Sequence, residues 1–414
     1  MPGKSKIQRA VSAMTLAEAE SRIQQLRQRA VPAFSDPENL DKPLDPDIEL
    51  RTEVPGRTKI VLRVGDADAS WATVIAYTQQ IGEQTVLMGG IAGVRTHDDH
   101  RFKGYSRRVL ENTLRHMRQN GFGVSMLYGV PSYYPKFGFA PAFPNVNWWL
   151  SLRDAEALPL APTGLKWTAY ESEHLAGVLA LYHKQNAGRT GVVQRDPKTW
   201  QPWLHGSTWN NQPLAFVALD AAKKVQAYSV YDDAFNAVAV LECACRSPEQ
   251  YGDLIAHAAQ RALNQRVEKI RFELPSDSGL MEFCKVIGSV REETFRRDGS
   301  AMVRMIDLPV ALVSIGHELG TRMAGRGPGS LAIKTNLDSI GLRWQNGTLE
   351  VTAPHETGPV VKLPQWALAQ LYFGYHRVET LAAQGVLTGS VESQDLLAAL
   401  FPQRNHYFHR VDEF

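Results

Sequence analysis

The run HDDHRFKGYSRRVL, residues 97–110, places Arg101, Lys103 and Gly104 in a basic polar turn that leads directly into an apolar-periodic stretch. A glycine turn opening a helix offers unpaired backbone N–H groups and the positive end of the helix dipole. That donor set suits a phosphate or pyrophosphate. Arg107, Arg108, Arg115 and Arg118 extend the positive charge, although cations on a helix ordinarily form its solvated face. About thirty residues on, SYYPKFGF carries two adjacent tyrosines, Tyr133 and Tyr134, in a turn after the next β-type run. His97, Asp98, Asp99 and His100 are all metal-ligand types. Consecutive residues seldom converge on one ion, so no metal is expected there.

The elements that would position these residues follow from periodicity. β-type runs cover Lys59 to Val64, Trp71 to Tyr77 and Val86 to Val94. Val109, Leu110, Thr113, Leu114 and Met117 then share one helical face, Asn120-Gly121 ends the helix, and Val124 to Tyr128 returns to strand. Ahead of all this, Thr15 to Ala30 reads as a helix and the acidic, proline-marked stretch Ser35 to Glu49 as a solvated connection.

From Gly164 the same order recurs: a helix over Glu173 to Lys184, strands around Ala215, Tyr228 and Val238, a helix started by Ser247-Pro248, and a strand over Lys269 to Leu274. Its turn, SPEQYGD, has Glu249 and Asp253 where the first has Arg101 and Lys103. Two carboxylates repel a pyrophosphate, so this second unit reads as an inactive partner. A third block opens after Asp307-Leu308-Pro309, with Ser330 to Lys334, a hairpin turning at Asn346-Gly347, and helices over Trp366 to Gln384 and Ser393 to Phe401.

Composition bounds the class. At 414 residues, 44% hydrophobic and 21% charged, the chain is globular and long enough for several cores. Lys+Arg 45 against Asp+Glu 43 gives net +2, so no single-sign field argues for nucleic acid or a membrane surface. Three cysteines exclude a disulfide framework. Cys243 and Cys245 share one face of a strand and read as core thiols. No signal-type apolar region and no apolar run of membrane length is found, and a cytoplasmic location is expected.

Arg101, Phe102, Lys103, Gly104 and Tyr105 match the R/Q-x-x-G-x-G/A motif by which GCN5-related N-acetyltransferases (GNAT) hold the acetyl-CoA pyrophosphate, with Ser106 at the last position. With YPKFGFA, RRDGSAMVRMIDLPVAL, LYFGYHRVETLAAQGVL and the final Asp412-Glu413-Phe414, the chain resembles the enhanced intracellular survival (Eis) acetyltransferase family over most of its length. The resemblance implies an α+β (mixed α/β) chain of tandem GNAT-like domains plus a sterol carrier protein-like α+β domain. The expected limits are 1–160, 161–306 and 307–414. It further implies an N-acetyltransferase using acetyl-CoA on amines of a cationic acceptor, aminoglycoside- or polyamine-like, and a homo-oligomer, hexameric in that family.

On the same resemblance Tyr134 is the general acid, and the Phe414 carboxylate reaches the first domain's site as base. A phenol near pKa 10 protonating a thiolate near 8.5 is uphill by only about 2 kcal/mol. An α-carboxylate near 3.5 facing an ammonium near 10 lies about 9 kcal/mol away, so Phe414 is expected to position the acceptor and remove its proton late. Glu413 and Asp412 add negative charge for the substrate, and Val94 and Thr96 lie beside the pantetheine. The alternative is a lipid- or sterol-binding protein that uses the apolar helix around Leu368, Leu371, Tyr372 and Phe373, with the acetyltransferase fold vestigial.

Overall fold

The computed structural model describes residues 39–158, 163–203, 212–232, 236–355 and 357–414. The helix expected over Thr15 to Ala30 lies outside them. The first hairpins are β1 (Ile48–Val54), β2 (Arg57–Val64), β3 (Ala67–Ile81) and β4 (Gln84–Thr96). They lead through a 3-10 turn to helix α1 (Tyr105–Gln119), β5 (Val124–Gly129) and the short β6 (Ala140–Pro141). β7 (Asn145–Ser151) and α2 (Leu152–Glu156) follow.

The middle of the chain supplies β8 (Lys166–Ala169), α3 (Leu175–Gln185), β9 (Leu214–Leu219), β10 (Val225–Asp232) and β11 (Val238–Cys245). α4 (Tyr251–Gln265), β12 (Lys269–Phe272), α5 (Gly279–Cys284), β13 (Val290–Thr294) and β14 (Ser300–Met305) complete it. The last unit has α6 (Leu308–Ser314), α7 (Gly316–Met323), β15 (Gly329–Lys334), β16 (Ser339–Gln345), β17 (Thr348–Thr352) and β18 (Val360–Lys362). It closes with α8 (Gln365–Tyr372), α9 (Val378–Ala383), β19 (Thr388–Gly389) and α10 (Val391–Leu400).

Three sheets result, and two of them cross the expected limit at 160. The first runs β1-β2-β3-β4-β5-β14-β6 and the second β13-β7-β12-β11-β10-β9-β8. β14, from the far side of the middle block, thus sits between β5 and β6, while β7 lies inside the second sheet. The limit at 160 therefore follows the chain but not the hydrogen bonding, whereas no sheet crosses the limit at 306. The third sheet runs β17-β16-β15-β18-β19.

Strand alternation gives the first sheet two apolar faces. Ile60, Leu62, Ala72, Val74, Ile91 and Leu127 pack under Val109, Leu110, Leu114 and Met117 of α1. The other face, with Ile75, Met88, Val124, Met126 and Val303, shares one continuous core with Leu331, Leu368 and Phe373 of the third unit. Buried amides tie that seam, with Gln365 Nε2 donating to Gly138 O at 2.7 Å and Gln370 Nε2 to Pro141 O at 2.7 Å.

Two expectations change. The helix read over Trp366 to Gln384 is two helices, broken at Gly374 (φ +75), where a Cβ would stand 3.0 Å from Arg404 N. The acidic stretch read as solvated is instead clamped along its described part. Asp45 pairs with Arg108 and Arg115 at 3.2 and 3.0 Å, and Asp47 with Arg108 at 3.1 Å. Arg118 holds Asp41, Asp307 and Asp338 at 3.0, 3.3 and 3.1 Å. Three of the four α1 arginines therefore bind carboxylates from outside the helix, and Arg107 pairs with Glu111 within it at 3.7 Å.

Candidate active site

The site begins at a defect in pairing. β4 and β5 run parallel from Met88↔Val124 to Ile91↔Leu127, and beyond that pair they have no further register although β4 continues to Thr96. On its other edge β4 is bulged against β3 between the Trp71↔Arg95 and Thr73↔Ala92 pairs, with Gly93 at φ +56. A bulge re-aims a strand and sharpens its twist. The consequence is a cleft between two parallel strands, edged by the backbone of residues 92–96, into which an extended amide chain can add hydrogen bonds. Val94 is half-buried on this rim. Thr96 faces back toward β3, its hydroxyl 2.9 Å from Ser70 Oγ.

At the mouth of the cleft the chain turns through Asp98–His100 into Arg101, Phe102 (φ +61, fully exposed), Lys103 and Gly104. Gly104, at φ +77, is the residue before α1, and a Cβ there meets nothing within 4 Å; the constraint is the left-handed backbone rather than space. The first-turn amides of α1 have no intrahelical partners and point into this turn. Arg101 is engaged by Asp98 at 2.7 Å, and Lys103 Nζ donates to Asp99 O at 3.1 Å. Tyr105 is half-buried, its ring 5.9 Å from His100.

The two tyrosines face different ways. Tyr133 shares a 2.6 Å hydrogen bond between its hydroxyl and Ser106 Oγ, tying the tyrosine turn to the start of α1. Tyr134 is 9% exposed and lies over Gly129 at the end of β5, where a Cβ would stand 2.3 Å from its Cδ2. Burial, with the neighbouring Tyr133, pushes its phenol up to about 12. Against a thiol near 8.5, donation is then uphill by about 3.5 units, or about 5 kcal/mol, more than the unperturbed values suggest.

The C-terminal tail enters from the opposite side. Tyr407 N donates to Thr190 O at 2.9 Å, and Tyr407 Oη to Glu273 O at 2.7 Å, which leads the tail between the first two sheets. Asp412 is buried and accepts from Arg195 Nη2 at 2.8 Å and from Trp200 Nε1 at 3.3 Å. Arg195 also makes a two-point contact with Glu242, at 2.8 and 2.6 Å, and lies between Tyr182 (3.7 Å) and Trp200 (4.4 Å). Arg195 favours the ionised form of both carboxylates; Glu242 is held down at about 2 despite its burial, whereas burial, with Glu242 nearby, leaves Asp412 raised. His409 completes the group with Nδ1 3.2 Å from Glu242 Oε2.

Asp412 is thus placed as the anchor of the tail, and Phe414 as its tip. The Phe414 ring is buried against Tyr77 (5.3 Å), Tyr128 (6.0 Å) and Gly90 of β4. By strand alternation Gly90 and Tyr128 are on the face away from α1, whereas Gly129 and Tyr134 are on the α1 face. Tyr134 and Phe414 therefore flank the β4/β5 cleft from opposite faces. Beside the tail lies a cavity of about 400 Å³. Its walls come from the β1–β2 turn, Tyr77 on β3, the segment Val193–Gln201 and the tail residues 411–414. Glu413 lies on this wall, its carboxyl raised to about 7 by burial, which the nearby Arg410 only partly offsets.

Sequence reasoning missed Arg195, Glu242 and His409. In TGVVQRDPKTW the arginine has the look of any loop cation, and its partners are 47 and 217 residues away along the chain. Among the described residues no cluster of three or more metal-ligand side chains occurs.

Comparison with known proteins bears on this geometry. Residues 19–142 match the acetyltransferase (GNAT) domain family, and residues 332–409 match the sterol carrier protein domain family. No curated protein sequence matches the chain. Among solved structures, a probable N-acyltransferase from Enterococcus faecalis V583 aligns with TM-score 0.71 at 13% identity, over 87% of this chain and 89% of that one. A GCN5-related N-acetyltransferase from Anabaena variabilis aligns with TM-score 0.68 at 18% identity, over 95% and 98%. Eis1 from Mycobacterium abscessus aligns with TM-score 0.61 at 18% identity, over 86% and 90%. The mixed α/β chain carries an acetyltransferase domain at its start and a sterol carrier protein domain at its end, and it is an enzyme of the acetyltransferase class. GNAT domains use acetyl-CoA as co-substrate.

Proposed function

We propose that this chain is an N-acetyltransferase that moves an acetyl group from acetyl-CoA to an amine of a cationic acceptor, aminoglycoside- or polyamine-like. The observation that carries the reading is the β4/β5 cleft flanked by Tyr134 on one face and the C-terminal Phe414 on the other. The residues fit the donor: the open rim at Val94 to Thr96 offers backbone partners for the pantetheine amides, and the turn Arg101 to Tyr105 offers cations and free amides for the pyrophosphate. Bound there, acetyl-CoA supplies the activated acetyl thioester.

The protein's residues do the rest. Tyr134 stays protonated throughout the physiological range and presents its Oη–H to the cleft as the proton donor. On the acceptor side Glu413 and the Phe414 carboxylate hold a cationic amine against β4, while Asp412 fixes the tail through Arg195. The segment Val193–Gln201 of the second unit forms the far wall of the acceptor cavity, which is the use we assign to a GNAT-like unit whose own turn carries Glu249 and Asp253. The stripe Leu368, Leu371, Tyr372 and Phe373, the basis of a lipid-carrier reading, is buried in the shared core, with Tyr372 Oη donating to Ala311 O at 3.0 Å. A homo-oligomer, hexameric by the Eis resemblance, and a cytoplasmic location belong to the same reading; among the described residues no helix is long and apolar enough to cross a membrane. Following thiol release from acetyl-CoA with spermidine and kanamycin, for the wild type, Tyr134→Phe and a chain ending at Glu413, tests it. Release in the wild type that collapses in both variants is expected; no release with either amine, together with co-purifying lipid, would sink it.

A further inference from the structure

The tail separates the acceptor cavity from a second, smaller one. That cavity, of about 160 Å³, lies between the first two sheets and is lined by Asn145, Asn147, Arg271, Glu273 and Arg410 among others. Its walls are polar and it has room for several water molecules. One residue, Glu413, lines both cavities.

From this placement we infer that Glu413 is the group that takes the acceptor's proton and passes it across the tail into the polar cavity. The inference rests on the acetyltransferase reading above. In the step, an N–H bond of the attacking amine breaks and an O–H bond forms on a Glu413 carboxylate oxygen. The nitrogen pair so freed forms the new bond to the acetyl carbon, the C–S pair leaves on sulfur, the sulfur takes a proton from Tyr134 Oη, and the second proton that the nitrogen loses on becoming an amide returns to the Tyr134 oxygen through water. Glu413 then releases its proton to water in the smaller cavity and is an acceptor again.

The surroundings make Glu413 suited to this and the chain terminus less so. Arg410 Nη1 is 4.0 Å from Glu413 Oε1, and its Nε is 3.9 Å from Glu273, which Arg271 holds at 2.7 Å. The Tyr128 hydroxyl faces the Glu413 carboxyl and favours its ionised form, and Tyr407 closes the same side beside Glu273. The Phe414 carboxylate is one residue on. Burial lifts Glu413 to about 7, opposed by Arg410 and Tyr128 and assisted by the like charge of Glu273. An ammonium near 10 is then about three pH units away, a thousand-fold, where an ordinary α-carboxylate is about six and a half units away.

Two measurements decide it. With glutamate labelled at its side-chain carboxyl carbon, NMR titration of the whole chain, assigned against Glu413→Gln, should give a midpoint near 7, moved upward in Tyr128→Phe, which removes a hydroxyl that favours the ionised form. A midpoint near the ordinary 4.5 overturns the proposal. With acetyl-CoA and spermidine or kanamycin, kcat/KM of the wild type should rise through a limb near pH 7. Glu413→Gln should lose that limb and about 100-fold or more in kcat, with KM changed only a few-fold. A raised KM at unchanged kcat would make Glu413 a docking charge and overturn the relay. Absence of thiol release in the wild type overturns the acetyltransferase reading beneath it, whereas an active wild type with an unaltered Glu413→Gln overturns the relay alone.

Discussion

The Phe414 ring stands where Gly90 has no side chain: Cζ, Cε2 and Cε1 lie 2.7, 2.8 and 2.9 Å from the point that a Cβ on Gly90 would occupy. The last residue of the chain therefore rests on the strand that forms one side of the cleft, next to the last rungs of the β4–β5 ladder. A single methyl at residue 90 tests whether this seat matters. Gly90→Ala should push the ring off β4 and lower thiol-release kcat/KM by about 100-fold, the size of effect an ångström of misplacement produces. Near-wild-type activity would show that the terminus does not act from this seat.

Arg195 balances two buried carboxylates. Arg195→Met leaves Glu242 and Asp412 without their cation and should cost about 3–5 kcal/mol in urea unfolding. Arg195→Lys keeps the charge but not the two-point geometry and should fall between. Equal stability in all three proteins would contradict the anchoring role.

The Tyr134 ring is held by packing over Gly129 and against Tyr133 and Phe139, so removal of its hydroxyl should not disturb folding. Tyr134→Phe should keep the melting temperature while kcat drops by about 10²–10⁴. Because the phenol titrates at about 12, the wild-type rate should show no loss up to pH 10 from this residue. A falling limb near 9 that disappears in Tyr134→Phe would refute that assignment.

Asp98 pairs with Arg101 at 2.7 Å and, on the proposed reading, competes with the donor for it. Asp98→Asn should lower KM for acetyl-CoA roughly two- to five-fold at low ionic strength, and Lys103→Glu should raise it. Both effects should shrink in 1 M salt, where screening is nearly complete.

Glu413 also ties stability to pH. Its folded value of about 7 lies above the ordinary 4.5, so the contribution is fully present below 4.5 and is lost as pH rises through 7. That loss is on the order of 1–3 kcal/mol. Glu413→Gln mimics the protonated form and should exceed the wild type in stability at pH 8, measured by urea unfolding at several pH values. A variant less stable at pH 8 would contradict the raised value.

Local features were legible because they depend on local chemistry. Gly104 before an apolar-periodic helix, the Asn120-Gly121 stop and the Asn346-Gly347 hairpin all have backbone requirements written in neighbouring residues. Tyr134 could be told from Tyr133 only by the resemblance; the structure separates them by what each ring covers. The Arg195 group was not legible, since its members come from a loop, a strand and the tail and meet only when three segments are packed. Strand exchange was invisible for a related reason. NVNWWLS and SAMVRM are ordinary β runs, and nothing within seven residues tells which sheet will receive them.

That exchange has a bearing on how the chain can be cut. A fragment ending at residue 160 would leave β5 with an unpaired outer edge, because its neighbour β14 comes from residues 300–305, and would take β7 away from the second sheet. Bare edges of this kind recruit other chains. The units built on these two sheets are therefore one object for expression and refolding, and dissection by truncation will yield aggregates where dissection by substitution yields answers.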